Sequence, residues 1–293
     1  MKRGAKLLIG IGTTVLCGAS VLATAGSSTL DSQPAAAASG HSGLFIPAPL
    51  PGATSHAITG AIGAVKQLGS ENWSGYAQNA AKKTYTDVVD TWVVPTVTAG
   101  ATGTQYSADW VGIGGFSEGT LVQAGTEVDN IKGKPKYAAW TEILPKAEKP
   151  LSGLAIHPGD TITTTVREIS AGKWNMTVAD LTTGKSGGRT VKYASSGASA
   201  EAIHERPEVN GSLATLTGTN NVTFVPGDFS STAAGLTPVL TPLLRPASGA
   251  TVNQIFMLNN AGTKIIASPS VPSTAKDGFA VEDGATAPPP PAG

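Results

Sequence analysis

The sequence predicts an all-β domain of two stacked antiparallel sheets. Three observations carry that expectation. Short segments alternate apolar and polar residues with period two, as in Thr161-Ile-Thr-Thr-Thr-Val-Arg-Glu-Ile169, where Ile162, Thr164 and Val166 share a face. Turn residues separate these segments at short, regular spacing, as at Ser170-Ala-Gly-Lys173 and Thr182-Thr-Gly-Lys185. No long stretch shows the 3.6-residue period of an amphipathic helix. Many short antiparallel strands mean a sandwich or a barrel. The chain is long for a seven-stranded immunoglobulin-like domain, so two larger sheets fit better.

In chain order, residues 1–25 read as an export signal. Lys2, Arg3 and Lys6 form a basic head, Leu7 to Ala23 an apolar run, and Ala23-Thr-Ala-Gly26 a small-residue cleavage site. The run is at the short edge for a membrane anchor and rich in Gly and Thr. Leu16 before Cys17 is too large for a lipoprotein site. Residues 26–69 are rich in Ala, Ser, Gly and Pro, and read as a propeptide or linker. The domain spans 70–284, long enough for a sizeable core. Its strands begin at Tyr85 to Val94. Lys132-Gly-Lys-Pro135 separates two more. The meander 161–169, 174–178 and 189–193 follows, and then a pair, 252–258 and 263–267, flanks Asn259-Asn-Ala-Gly262. Residues 285–293, with four successive prolines, read as a polyproline tail.

Composition removes several chemistries. Cys17 is the only cysteine and lies in the signal, so the mature protein has neither disulfide nor thiolate. The four histidines, at 41, 56, 157 and 204, are scattered and lack metal-ligand spacing. A zinc site of the usual spacing is not expected. Charged residues are balanced, contain no basic block and make up only 14% of the chain, which argues against nucleic acid. Sparse charge also limits self-repulsion in acid.

Among catalytic patterns, Gly-x-Ser-x-Gly is missing, as are paired Asp-Thr/Ser-Gly loops and a phosphate-cradling glycine loop. Carboxylates and amides remain. Gln123 follows an apolar pair in Leu121-Val-Gln-Ala-Gly125. Glu142 shares a strand face with Trp140, and Glu205 lies in Ala202-Ile-His-Glu-Arg-Pro207. A carboxylate can take a proton from an attacking water, and an amide N–H can hold the oxyanion that develops. Each residue also has a plainer reading. Gln123 can be a strand amide bonded to a neighbour, Glu205 a surface partner of Arg206, and Asp109 and Glu118 loop or edge charges. The five tryptophans are by default core or sheet-face residues. Three functions stay open on residues alone: a peptide hydrolase, a glycosidase using Glu142 and Glu205, and a lectin stacking sugars on exposed tryptophans.

Six segments, in order, resemble the glutamic peptidases, the eqolisin family of acid endopeptidases. They are Asn72-Trp-Ser-Gly-Tyr76, Thr91-Trp-Val-Val-Pro95, Trp110-Val-Gly-Ile-Gly-Gly115, Leu121-Val-Gln-Ala-Gly125, Trp140-Thr-Glu-Ile-Leu-Pro145 and Ala200-Glu-Ala-Ile-His-Glu-Arg-Pro207. The resemblance covers about residues 70 to 283. It implies two seven-stranded sheets in a lectin-like sandwich, with Gln123 and Glu205 as the catalytic dyad on a concave face. It implies Trp110, Trp140 and Glu142 as the cleft lining. It further implies polypeptide substrates, acid-limited activity, a removed propeptide and no metal or organic cofactor. The export signal, for its part, predicts a secreted protein without stable membrane association once it is cleaved, expected as a monomer. Missing cysteines resemble a bacterial-type member. Some positions depart from the pattern. Gly114 stands where the family has Asp, leaving Asp109 or Glu118 as candidates to support the glutamine. A family Asp after the glutamine matches Asp129 only across extra residues. Ile143 and Ala202 replace two tryptophans.

Overall fold

The computed structural model describes residues 43–51, 65–225, 228–230, 240–242, 247–273 and 278–292. The export signal and most of the 26–69 stretch lie outside the described residues. The principal strands, in chain order, are β1 (Lys66–Ser70), β2 (Trp73–Asn79), β3 (Asp87–Val93), β4 (Ala108–Gly114), β5 (Leu121–Ile131), β6 (Lys134–Ile143) and β7 (Thr161–Ser170). They continue with β8 (Lys173–Asp180), β9 (Lys185–Lys192), β10 (Ser199–Glu205), β11 (Val222–Phe224), β12 (Thr251–Leu258), β13 (Ile265–Pro269) and β14 (Phe279–Asp283).

These strands form two layers. One runs β1-β12-β2-β10-β4-β5-β6, the other β13-β14-β11-β3-β7-β8-β9. The β12–β13 hairpin carries hydrogen bonding from one layer into the other. A short hairpin, Asp228–Ser230 with Leu240–Pro242, adds to the edge of β3. All principal pairings are antiparallel except β1–β12, which is parallel. The expected all-β, two-sheet architecture is what the chain adopts.

The meander forms where period-two alternation placed it. β7 and β8 turn Ile162, Val166, Trp174, Met176 and Val178 inward, against Val111, Ile113, Val122, Ala124, Ala200 and Ala202 of the facing sheet. Trp92 of β3 crosses the gap and donates its indole N–H to Thr126 Oγ1 of β5 at 3.0 Å. Burying this apolar surface is the main favourable term in folding.

The first sheet departs from simple polar-out alternation. A second apolar cluster covers its outer face, formed by Trp73, Ala77, Ala108, Trp110, Leu121, Trp140, Ile203 and Ile255, with Phe45 and Phe116 packed against it. β4 and β10 are therefore buried at every position, although they carry Asp109, Glu201, His204 and Glu205. Strands buried on both faces need partners for each charge. Those partners define the site.

Candidate active site

Strand register assembles the outer-face residues. Glu142 of β6 lies opposite Gln123 of β5, Gln123 opposite Gly112 of β4, and Gly112 opposite Glu201 of β10. One row over, Trp140 pairs with Gly125, Gly125 with Trp110, and Trp110 with Ile203. Glu205 ends β10 opposite Trp73. Gly125 makes room for this packing, since a Cβ there would lie 2.6 Å from Trp110 Cβ and 2.2 Å from the Asp109 carbonyl oxygen.

Glu205 is fully buried. The Trp110 indole N–H donates to its Oε2 at 2.7 Å, and Asn72 Nδ2 donates to Oε1 at 3.4 Å. Trp73 meets Trp110 edge to face, with centroids 5.0 Å apart, and fixes the indole that holds the carboxylate. Gln123 is also fully buried, and its Nε2 donates to Glu142 Oε2 at 2.6 Å. An amide NH₂ carries two donors. Glu142 takes one and fixes the amide plane, leaving the other for a different acceptor.

Glu205 and Gln123 flank one point. The ideal Cβ position of Gly43 lies 3.1 Å from Glu205 Oε1 and 3.2 Å from Gln123 Nε2. A single carbon atom placed there would thus touch both groups. Trp110, Trp140 and Glu142 sit on the same face, so the structure brings together all five residues singled out from sequence. Among the described residues, no group of three or more His, Cys, Asp or Glu side chains converges as a metal site would.

The plainer reading of Glu205 as a partner of Arg206 fails on geometry. Arg206 turns away to bond Asn260 Oδ1 at 2.6 Å and the carbonyls of Glu71 and Leu258. All five tryptophans are 0–2% exposed, so none offers an open ring face for stacking sugar in this arrangement of the chain. A cavity of about 390 Å³ between Tyr85, Trp174 and Tyr193 is lined by Lys83 and Glu168, and by neither Gln123 nor Glu205.

Residues 71–274 match the Peptidase A4 family. The chain belongs to that family. It is 30% identical over 192 residues to Aspergillopepsin-2 of Aspergillus niger, covering 58% of this chain and 67% of that protein. Among solved structures, scytalido-glutamic peptidase with a transition state analog inhibitor is 20% identical. Its TM-score is 0.56, over 73% of this chain and 98% of that one. Aspergilloglutamic peptidase from Aspergillus niger is 25% identical, with a TM-score of 0.51, over 61% and 99%. As a Peptidase A4 member, the chain is a peptide hydrolase with a β-sandwich fold.

The departures from the family pattern acquire physical reasons. Residue 114 has φ of 93°, and a Cβ there would meet the Thr120 carbonyl oxygen at 2.2 Å. Glycine is required at that turn of this Peptidase A4 chain. Neither of the two carboxylates considered as substitutes bonds the glutamine. Asp109 faces the interior, where its Oδ1 accepts from His204 Nδ1 at 2.8 Å, and Glu118 lines a pocket beside Leu44 and Phe45. Glu142 is the carboxylate on Gln123.

Sequence reasoning missed the pair behind the site. His204 and Asp109 are opposite residues of β10 and β4, 1% and 0% exposed, and Asp283 Oδ1 lies 3.6 Å from His204 Nε2. Burial alone would depress the His204 pKa, but the two carboxylates outweigh it and push it up to about 10. Burial in turn raises Asp109, against the pull of His204. Asn72 was also missed as a functional group, although it heads the first matched motif.

Proposed function

We propose that this protein is a secreted acid endopeptidase that cuts polypeptides with a Glu205/Gln123 dyad. The observation that carries the reading is the single point beside Gly43 that the Glu205 carboxylate and the Gln123 amide flank together, 3.1 and 3.2 Å away. The ionised Glu205 takes a proton from water as the water oxygen attacks the substrate carbonyl carbon. The carbonyl oxygen becomes an oxyanion and accepts a hydrogen bond from Gln123 Nε2, whose other N–H is held by Glu142. Glu205 then gives its proton to the amide nitrogen, the C–N bond breaks, and acid and amine products leave. A glutamine suits this role in acid because its amide neither titrates nor repels the oxyanion.

Trp110 orients the base, and Trp140 and Glu142 line the cleft. The substrates are unfolded or extended polypeptides, the enzyme acts outside the cell as a monomer after loss of residues 1–25, and the stretch before about residue 70 is removed on maturation. The test is hydrolysis of denatured protein at acidic pH by the parent, Gln123→Ala and Glu205→Gln. Gln123→Ala should lower kcat by about 10²–10³, and Glu205→Gln should abolish turnover. Proteolysis that survives both changes would sink the dyad. Sugar cleavage that needs Glu142 and Glu205 but not Gln123 would replace the reading with a glycosidase.

A further inference from the structure

The segment 43–48 lies in the cleft as an extended peptide. From Gly43 at the dyad, it runs outward past Asn72. The Asn72 side chain bonds it twice, with Nδ2 donating to the Leu44 carbonyl at 2.9 Å and Oδ1 accepting from the Ile46 N–H at 3.0 Å. On the opposite side, the Phe45 N–H donates to the Gly115 carbonyl at 3.1 Å. The Ile46 carbonyl accepts from the Glu71 N–H at 2.9 Å and the Ser70 hydroxyl at 3.0 Å. Pro47 and Ala48 then pair with Ser70 and Gly69 at the edge of β1. These bonds reach only backbone atoms, so they accept any side-chain sequence. One side chain is read. Phe45 packs between Trp73 and Phe116, with centroids 5.6 and 4.8 Å away.

We propose that Asn72, Gly115, Trp73 and Phe116 form the binding site for the carboxyl-side half of a polypeptide substrate, now held by the chain's own residues 43–48. Asn72 clamps the substrate backbone, and the Trp73–Phe116 pocket selects an aromatic or large apolar residue two positions after the one at the dyad. The site rests on the peptidase reading for its role, because the same Asn72 amide also reaches Glu205. Backbone reading fits an enzyme that accepts many sequences, while one pocket biases the choice. On the other side, Leu44, 36% exposed, and Ile46 border a cavity of about 250 Å³ together with Gly119, Leu144, Pro145 and Glu208. While residues 43–48 remain in place, they exclude substrate.

Binding of the labelled peptide Gly-Leu-Phe-Ile-Pro-Ala-Pro, residues 43–49, tests the site. In the unaltered chain, excess peptide should speed amide exchange at Phe45 and Ile46, because it displaces the tethered copy. In the full chain loosened by Phe45→Ala, polarisation should detect the peptide directly. The peptide N-methylated at Ile, and the one with Ala for Phe, should each bind about fivefold to tenfold more weakly, the loss of one hydrogen bond or one buried ring. Asn72→Ala in the loosened chain removes both Asn72 bonds, so it should weaken the unmodified peptide by more than the N-methyl group does, and N-methylation should cost little further in that variant. Unchanged exchange, or N-methyl and Ala peptides that each bind as tightly as the unmodified peptide, would overturn the site. Peptide binding without hydrolysis of denatured protein by the mature enzyme, freed of residues 43–48, would instead keep the site and sink the peptidase reading. Hydrolysis without peptide binding would do the reverse.

Discussion

Glu201→Gln should change how stability depends on pH, by an amount the structure allows to be worked out. Glu201 is fully buried on the outer face of β10, in the row of Gln123 and Glu142. Burial raises its pKa well above the ordinary 4.5, with Ser199 pulling weakly the other way. The sign follows from which state holds the proton. Between 4.5 and the raised folded value, the folded chain keeps the proton and the unfolded chain has released it. Stability from this group is complete below 4.5 and declines as pH rises through that window. One proton corresponds to a slope of about 1.4 kcal/mol per pH unit. Each pH unit spent in that window therefore costs roughly 2–4 °C in Tm for a domain of this size.

Glu201→Gln keeps the volume and polarity but cannot titrate. Urea unfolding at pH steps above 4.5 should therefore give a shallower decline in the variant, by about 1.4 kcal/mol per pH unit wherever the folded parent still holds the proton. Asp87 and Asp109, both raised mainly by burial, contribute slopes of the same sign in both proteins and cancel in the comparison. Parallel slopes in parent and variant would refute the reasoning, since Glu201 would then be ionised in the folded chain. The predicted pattern is a fold that is stiffest in acid, where the proposed chemistry runs.

Trp110→Phe removes one N–H donor from the Glu205 carboxylate, about 1.5–3 kcal/mol for a charged acceptor. Steady-state assays should show kcat/KM about 10- to 100-fold lower. Glu142→Gln should lower kcat about tenfold or more while KM stays near the parent value, because the Gln123 amide loses its fixed orientation and not its place. A change confined to KM would make Glu142 a substrate-binding group only. His204→Gln should remove an alkaline transition. The raised His204 pKa gives stability that is fully present below 6.5 and lost as pH rises through about 10, so denaturant melts between pH 7 and 10 should decline less in the variant.

Individual residues were legible to different degrees. Gln123 and Glu205 could be singled out as candidates because an amide and a carboxylate in otherwise apolar strands are conspicuous, and because six motifs occur in order. The meander 161–193 was legible because one face of each strand is wet. β4 and β10 were harder to read. They are buried on both faces, so alternation of polarity vanishes and neighbours such as Asp109 and Trp110 look alike while facing opposite ways. Glu142 was placed with Trp140, but its bond to Gln123 depends on the β5–β6 register, which no single strand encodes. Residues 43–48 gave no signal. They show no period of their own, and their shape comes from the cleft that holds them.

Register is the device that joins the two faces. Trp110 and Glu205 meet on the outer face, and the residues immediately before them, Asp109 and His204, meet on the inner face as directly opposed partners. A one-residue slip between β4 and β10 would send every side chain to the wrong face and leave two buried charges without counterparts. Leaving a buried charge unpaired costs about 3–5 kcal/mol, so the slipped pairing is strongly disfavoured. A buried ion pair adds little net stability over apolar packing, and its better-attested use is to fix one arrangement. Here the fixed arrangement puts the Trp110 indole on the Glu205 carboxylate to within a hydrogen bond. The geometry of the proposed base is thus held by two residues that never face the cleft.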